Sequence, residues 1–392
     1  MRNILPLTII TIIYFCSCMR NQDKSSFTLL PTDSKIVFTV PKDCKNTTSC
    51  LQYYAEPDGN AFLCYLNRDK NKILFYNMNT LELSFEIEMP QKGPNVVGRI
   101  SSFVIHNFDT IMLTTGQMNV LYLIDSSGVI KNKYPADNIM NGAYNIYYCN
   151  SPSTHRNLII KNGTIYVGMH LLTFPDPEEI QLFKICLRIN MKNNEQQLLP
   201  LAYPPIGSID KKPVYNYFST HLIDNKFIYN FISSHDLYIS KNLENFRKVP
   251  VKSKFMKKDF LLPDLRSGYH SVIKSNLEHG TYGMFLNDSY RNVFYRFAYP
   301  GVKMNSSIMS LNIPELINLN EFRSVFSIMI LDSNLEIIGE QLLPENTYNK
   351  NMAFVNENGL YISTNHPQNP EFNPDSLKFE LFKLGRIKNK DY

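Results

Sequence analysis

Three arginines, Arg99, Arg156 and Arg266, fall at or near the starts of strand patterns, with Gln52, Tyr217, Tyr269 and His270 in comparable places. If those strands are the innermost of a ring, the side chains surround the mouth of one opening. Guanidinium forks grip carboxylate or phosphate bidentately, so such a rim suits an anionic ligand. The competing reading is pairing with loop carboxylates such as Asp176, Asp210 or Asp264, because isolated buried cations are costly. The eight histidines are scattered. His155, His270, His279 and His366 fall in or beside long loops, whereas His106 and His221 lie in strand patterns and read as hydrogen-bonded structural residues. There is no His-Glu-x-x-His, no Gly-x-Ser-x-Gly and no P-loop, and no Cys-x-x-Cys pair. Inner strands nearly free of Asp and Glu argue against a carboxylate cage for a cation.

The elements that must position these residues are short strands. Residues 99–135 give strands at 100–107, 110–115, 120–125 and 129–135, separated by turns and by no helical segment. Four strands in about forty residues is the size of one propeller blade. Looser copies follow the same grammar at 51–89, 157–201, 219–251 and 281–343. The last group, 352–384, has only three strands, and an orphan strand, Lys35–Val40, supplies the fourth. The expected fold is therefore an all-β, six-bladed propeller of four-stranded antiparallel blades, its ring closed by pairing the two ends of the chain. Closure removes exposed strand edges. Loops between first and second strands are short, whereas second-to-third loops and inter-blade links are often long. In an antiparallel blade the two long classes leave one face of the ring, and that face is the expected site, since binding groups concentrate on long loops held by a rigid scaffold.

Composition fits one large globular domain: 392 residues, 44% hydrophobic, 25 Phe, 24 Tyr and no Trp. The net charge of +5 is mild. Its main concentration, at residues 241–258, reads as a solvated outer strand and loop, with an anionic glycan or lipid headgroup as the alternative. Arg2 followed by an apolar run at 4–15 is a targeting signal, too short for a span of roughly 20 apolar residues. It ends in Phe15-Cys16-Ser17-Cys18, which resembles the lipobox of bacterial lipoproteins, with Phe15 departing from the usual aliphatic residue. The expected layout is a signal at 1–18, lipidation at Cys18, a polar tether at 19–33, the propeller at 34–386 and a tail at 387–392. Export makes an oxidising environment relevant: Cys44 and Cys50 flank a polar loop and could form a disulfide, whereas Cys64 and Cys186 read as buried thiols.

Two segments carry a family resemblance. Residues 282–297, with Asp288, Tyr290-Arg291-Asn292 and Tyr295-Arg296-Phe297, and residues 359–384 resemble an uncharacterised family of Bacteroidetes lipoproteins. The resemblance implies a six-bladed propeller on the cell envelope and brings no activity with it. Arg291 and Arg296 read as structural. Asp109-Thr110-Ile111 and Asp375-Ser376-Leu377 resemble a short O-glycan acceptor motif of such bacteria.

The sequence thus points to a monomer, anchored through Cys18 in the periplasm or on the outer membrane. It would act as a non-catalytic module for a glycan, peptide or envelope protein, with no nucleic-acid partner and no cofactor specified. Arg99, Arg156, Tyr217, Arg266, Tyr269, His270 and His366 are the candidate ligand contacts. The alternatives are a metal-dependent hydrolase or lyase working in the channel, and a purely structural interaction surface.

Overall fold

The structure, a computed structural model, describes residues 26–387 except 49, 91, 94–95, 116–119, 136–139, 142–143, 149–157, 172–179, 205–216 and 261–267. At 26, 140–141, 144–148, 170–171, 181 and 269 it describes the backbone alone. Six antiparallel sheets form the six blades of a propeller. Blade 1 comprises Leu51–Ala55, Ala61–Asn67, Lys72–Asn77 and Leu83–Glu88. Its two middle strands are buried along most of their length, as expected for strands covered on both faces by neighbouring blades. Blade 2 has the expected strands Ile100–Asn107, Thr110–Thr115, Val120–Ile124 and Ile130–Pro135.

Turn chemistry sets the hairpins. Asp224 and Asn225 both have positive φ, 48° and 60°, as do Asn162 and Gly163, 49° and 69°. These two-residue turns match the right-handed twist of the strands they join. Apolar residues of each blade meet those of the next, so the core is a series of inter-blade layers. One layer joins blades 1 and 2 through Cys64, Phe75, Ile105 and Leu113. Another joins blades 6 and 1 through Phe38, Tyr65, Tyr76 and Phe379.

The ring closes as the sequence leads one to expect, with a longer strand. Ser26–Thr39 is the outermost strand of blade 6 and pairs antiparallel with Ser376–Ile387, from Ser26 opposite Ile387 to Thr39 opposite Ser376. Residues 26–33, assigned above to the tether, therefore belong to the propeller. An irregularity in the pairing falls between Pro31 and Lys35. Pro is tolerated in an outer strand because its missing N–H faces no partner strand. Leu29 on the near side is buried in the layer between blades 5 and 6.

Three long connections hold structure that strand periodicity did not disclose. Met140–Asn141 and Tyr144–Tyr148 form a hairpin that extends blade 3 along Thr164–Leu171. Helix α1, Tyr269–His279, fills the link from blade 4 to blade 5. Helices α2, Ser306–Met309, and α3, Ile313–Glu321, fill the second-to-third connection of blade 5. A reciprocal capping box of Asn312 and Glu315 starts α3. Ile273 and Leu277 of α1 pack on Leu316 of α3, giving a helical cap on the long-loop face.

The family-like segment in blade 5 is a set of clamps. Arg296 is fully buried, and its guanidinium donates to Asn230 Oδ1 (2.9 Å) and to the carbonyls of Ser234, His235 and Val251 (2.7–3.0 Å). Its plane lies 3.6 Å from the Tyr282 ring. Blade 5 is thereby tied to blade 4. On the short-loop face, Arg291 donates to Asp288 (2.5 Å) and to the carbonyls of Asn356 (2.6 Å) and Glu357 (3.0 Å), tying blade 5 to blade 6. Both arginines have the structural role expected of them.

Cys44 and Cys50 do not form the expected disulfide. Cys50 Sγ points into the layer between blades 1 and 2, 3.9 Å from the Phe103 carbonyl. Cys44 packs against the layer between blades 6 and 1, with Asn67 Nδ2 at 2.6 Å from its sulfur. Opposite faces of one blade separate the two thiols. Cys64 and Cys186 are buried as expected.

Candidate functional site

Arg99 opens blade 2 on the long-loop face, and the structure shows what places it. Asn71 closes the tight turn after Ala61–Asn67 with φ 58° and is buried. Its side chain donates to the Gly98 carbonyl (2.9 Å) and accepts from the Ile100 N–H (2.7 Å). One asparagine thus bolts the blade 1 turn to the start of blade 2 and brings Arg68 and Asp69 beside Arg99. The link from the closing strand to blade 1 supplies the next wall. Thr48 Oγ1 donates to the Leu66 carbonyl (2.9 Å) and accepts from Cys50 N–H (3.1 Å), which fixes Lys45 and Thr47 over Tyr65.

The result is a cleft of about 290 Å³ lined by Lys45, Tyr65, Arg68, Asp69, Arg99 and Phe322, among others, with Glu321 at its edge. A second hollow of about 470 Å³ shares Arg68, Asp69 and Arg99. Asp69 receives Lys45 Nζ at 2.9 Å and Arg99 Nη2 at 2.8 Å. Contact first with Lys45 and then with Arg99 holds its carboxyl below the usual range. Arg68 donates to the Ser101 carbonyl at 2.8 Å. Arg99 is therefore paired with a loop carboxylate, as the competing reading anticipated, here Asp69; Asp176, Asp210 and Asp264 lie outside the described residues. Three cationic side chains still share the cleft with two carboxylates, all partly exposed. Chemically this is a surface that can exchange a bridging carboxylate for that of a ligand.

Glu321 and Phe322 come from the end of α3, so the blade 5 cap reaches across to blade 1. Arg323 secures that end. It is 2% exposed and donates to Asn320 Oδ1 and to the carbonyls of Asn276 and Leu277 at the end of α1, a favourable place for a cation at a helix C-terminus. Lys350 lies nearby, 8% exposed, with Nζ 4.3 Å from the Tyr299 ring and 3.2 Å from Asn351 Oδ1. Burial first, then Arg323, pushes its amine down to about 7. Sequence reasoning did not single out Arg323 or Lys350.

The other expected contacts are dispersed. Arg156 and Arg266 lie outside the described residues. Tyr217, 46% exposed, precedes blade 4. Tyr269 and His270 form the first turn of α1. His366 is buried behind Phe322, whose ring meets it edge-on at 6.0 Å, and burial lowers its pKa. It is not among the cleft-lining residues. Gln52, expected at the rim, is instead buried and exchanges two hydrogen bonds with Ile105, joining blades 1 and 2. His221 contacts Ser219 and Phe285, as a structural histidine should, whereas His106 is exposed. Of the two glycan-like triplets, that at 375–377 has its Ser376 buried.

Toward the short-loop end, the channel holds a smaller hollow of about 210 Å³, walled mainly by Leu51, Tyr53, Met284, Phe285 and Phe354. Among the described residues, no group of three or more His, Cys, Asp or Glu is placed to hold a metal ion. No described helix is long and apolar enough to cross a membrane.

Fold and cleft define a six-bladed propeller with a capped long-loop face. The family described as "Domain of unknown function (DUF4221)" matches residues 26–342, and the chain belongs to it. A crystal structure of a member of that family from Bacteroides vulgatus superposes with a TM-score of 0.78 and 22% identity, covering 93% of this chain and 100% of the other. A protein from Bacteroides fragilis assigned as exported superposes with a TM-score of 0.52 and 8% identity, over 92% and 95% of the two chains. No curated protein matches the sequence.

Proposed function

We propose that this protein is an exported, Cys18-anchored binding module that holds an acidic partner, a glycan, peptide or envelope protein, in the cleft between blade 1 and the helical cap. The observation that carries the reading is the shared cleft of Lys45, Arg68 and Arg99, walled by the far end of α3. Lys45 and Arg99 are tethered by one carboxylate, Asp69, and Arg68 by the Ser101 carbonyl, rather than sealed in the core, so a ligand carboxylate or sulfate can compete at small desolvation cost. Export draws support from the signal-like N-terminus and from the assignment of the Bacteroides fragilis relative.

The test is a melting screen of soluble residues 19–392 against uronic-acid and sulfated oligosaccharides, acidic peptides and neutral glycans. A ligand of the folded state at 100 times its Kd adds ~2.7 kcal/mol. Shifts confined to the acidic probes are expected. Shifts only with neutral glycans, or none with any acidic probe, would overturn the reading.

A further inference from the structure

The closing strand settles where the chain enters the propeller. Ser26 pairs with Ile387 and Thr39 with Ser376. Thr39 leads through residues 40–50 into the first strand of blade 1, on the long-loop face. Ser26 therefore lies at the opposite end, on the short-loop face, beside Ile387. A chain arriving from an anchor at Cys18 must enter there.

Length argues for the same end. From Cys18 to Ser26 is eight residues of chain, which fully extended reach at most about 29 Å. The strand Ser376–Ile387, alongside the closing strand, has 12 residues and at ~3.3 Å each rises about 40 Å. With the long-loop face pressed on the bilayer, Ser26 would lie at the far end of that strand, and the tether would have to run back down the outside of the blade to reach its anchor.

We infer that the propeller stands on its anchoring membrane with the short-loop face toward the bilayer, so that the cleft of Lys45, Arg68 and Arg99 opens away from it and takes an acidic partner arriving from the aqueous side. This rests on the anchoring reading above and deepens it. The headgroups of the anchoring membrane are out of the cleft's reach. The basic residues 252–258, which lie in the link bearing α1, are likewise turned from that surface. Lys252 and Lys258 there already pair with Asp259 and Glu278.

The experiment uses the full chain, processed and recovered from membranes, then reconstituted in phosphatidylcholine vesicles carrying an energy-acceptor lipid. A fluorophore is placed in turn at Asp58→Cys or Lys192→Cys on the short-loop face, and at Lys92→Cys or Ser307→Cys on the long-loop face, all exposed positions. A Cys149→Ser background removes the one mature-chain thiol after Cys18 that lies outside the described residues. Cys44 is held unreactive, because burial and then Asp43 push its thiol up to about 11. Positions 58 and 192 lie on one face and 92 and 307 on the other, so transfer from the first two is expected to exceed that from the second two roughly twofold or more. The mass of the N-terminal peptide reports lipidation independently. An unmodified Cys18 would overturn the anchoring reading and this inference with it. A lipidated Cys18 with equal or reversed transfer would overturn the orientation alone.

Discussion

Arg296 and Arg99 carry the same guanidinium, and the fold uses them in opposite ways. Arg296 is sealed between blades 4 and 5, with carbonyls and an amide oxygen meeting its fork and Tyr282 beneath its plane. Burial lowers its pKa to about 10, which leaves it charged at neutral pH. Arg99 sits in an open cleft, its side chain 63% exposed, with Asp69 as partner. The difference teaches that acceptor number and desolvation, not residue type, separate a clamp from a contact. A clamp is matched by backbone groups that cannot leave. A contact is matched by a side chain that can.

The largest effect should come from the closure that holds both regions in one ring. Removing residues 26–39 strips the partner from the strand Ser376–Ile387 and opens blade 6. Cooperative thermal unfolding is expected to disappear, and an unchanged melt would show that the ring does not depend on closure. Next, Arg296→Met leaves several buried acceptors without donors, at about 1–3 kcal/mol each. A total loss of at least about 3 kcal/mol is expected in urea titration. Arg296→Lys should rescue little, because one ammonium cannot reproduce the planar fork.

Lys350 sharpens the comparison through pH. Its folded pKa is about 7 and its ordinary value 10.5. Between these values the unfolded chain holds more protons, so stability contributed by this site rises with pH. Lys350→Met should therefore melt higher than wild type at pH 7, with the gap closing toward pH 9. A gap that widens with pH would contradict the burial of a largely neutral amine. The smallest effect belongs to Arg99→Ala, where an exposed pair contributes about 0–1 kcal/mol. Its melt should barely move.

Much of this was legible in the sequence. Alternating aromatic and β-branched runs, bounded by Asp224-Asn225 and Asn162-Gly163, disclose the strands, because turn residues with positive φ leave a chemical mark. Ring closure followed from a three-stranded last blade and an orphan strand. The helical cap was not read, although Asn312 and Glu315 spelled its capping box, because only Leu316 of α3 is buried and its apolar pattern is weak. The place of Arg99 at the opening of blade 2 was read from its position before a strand. Its companions Lys45, Arg68 and Glu321 were not, since they meet only when blades 1 and 2 and the blade 5 insertion converge. Cys44 and Cys50 misled because spacing carries no information about which side of a blade each thiol faces.

The account's central claim is that acidic partners bind on the long-loop face, and paired charge reversals test it most directly. Binding of the strongest acidic probe from the melting screen would be measured for wild type, for Arg68→Glu/Arg99→Glu, and for Lys192→Glu/Lys226→Glu on the short-loop face. The cleft variant should lose at least about tenfold in affinity, ~1.4 kcal/mol, while the short-loop variant keeps wild-type binding. Equal losses, or a loss only in the short-loop variant, would contradict the claim.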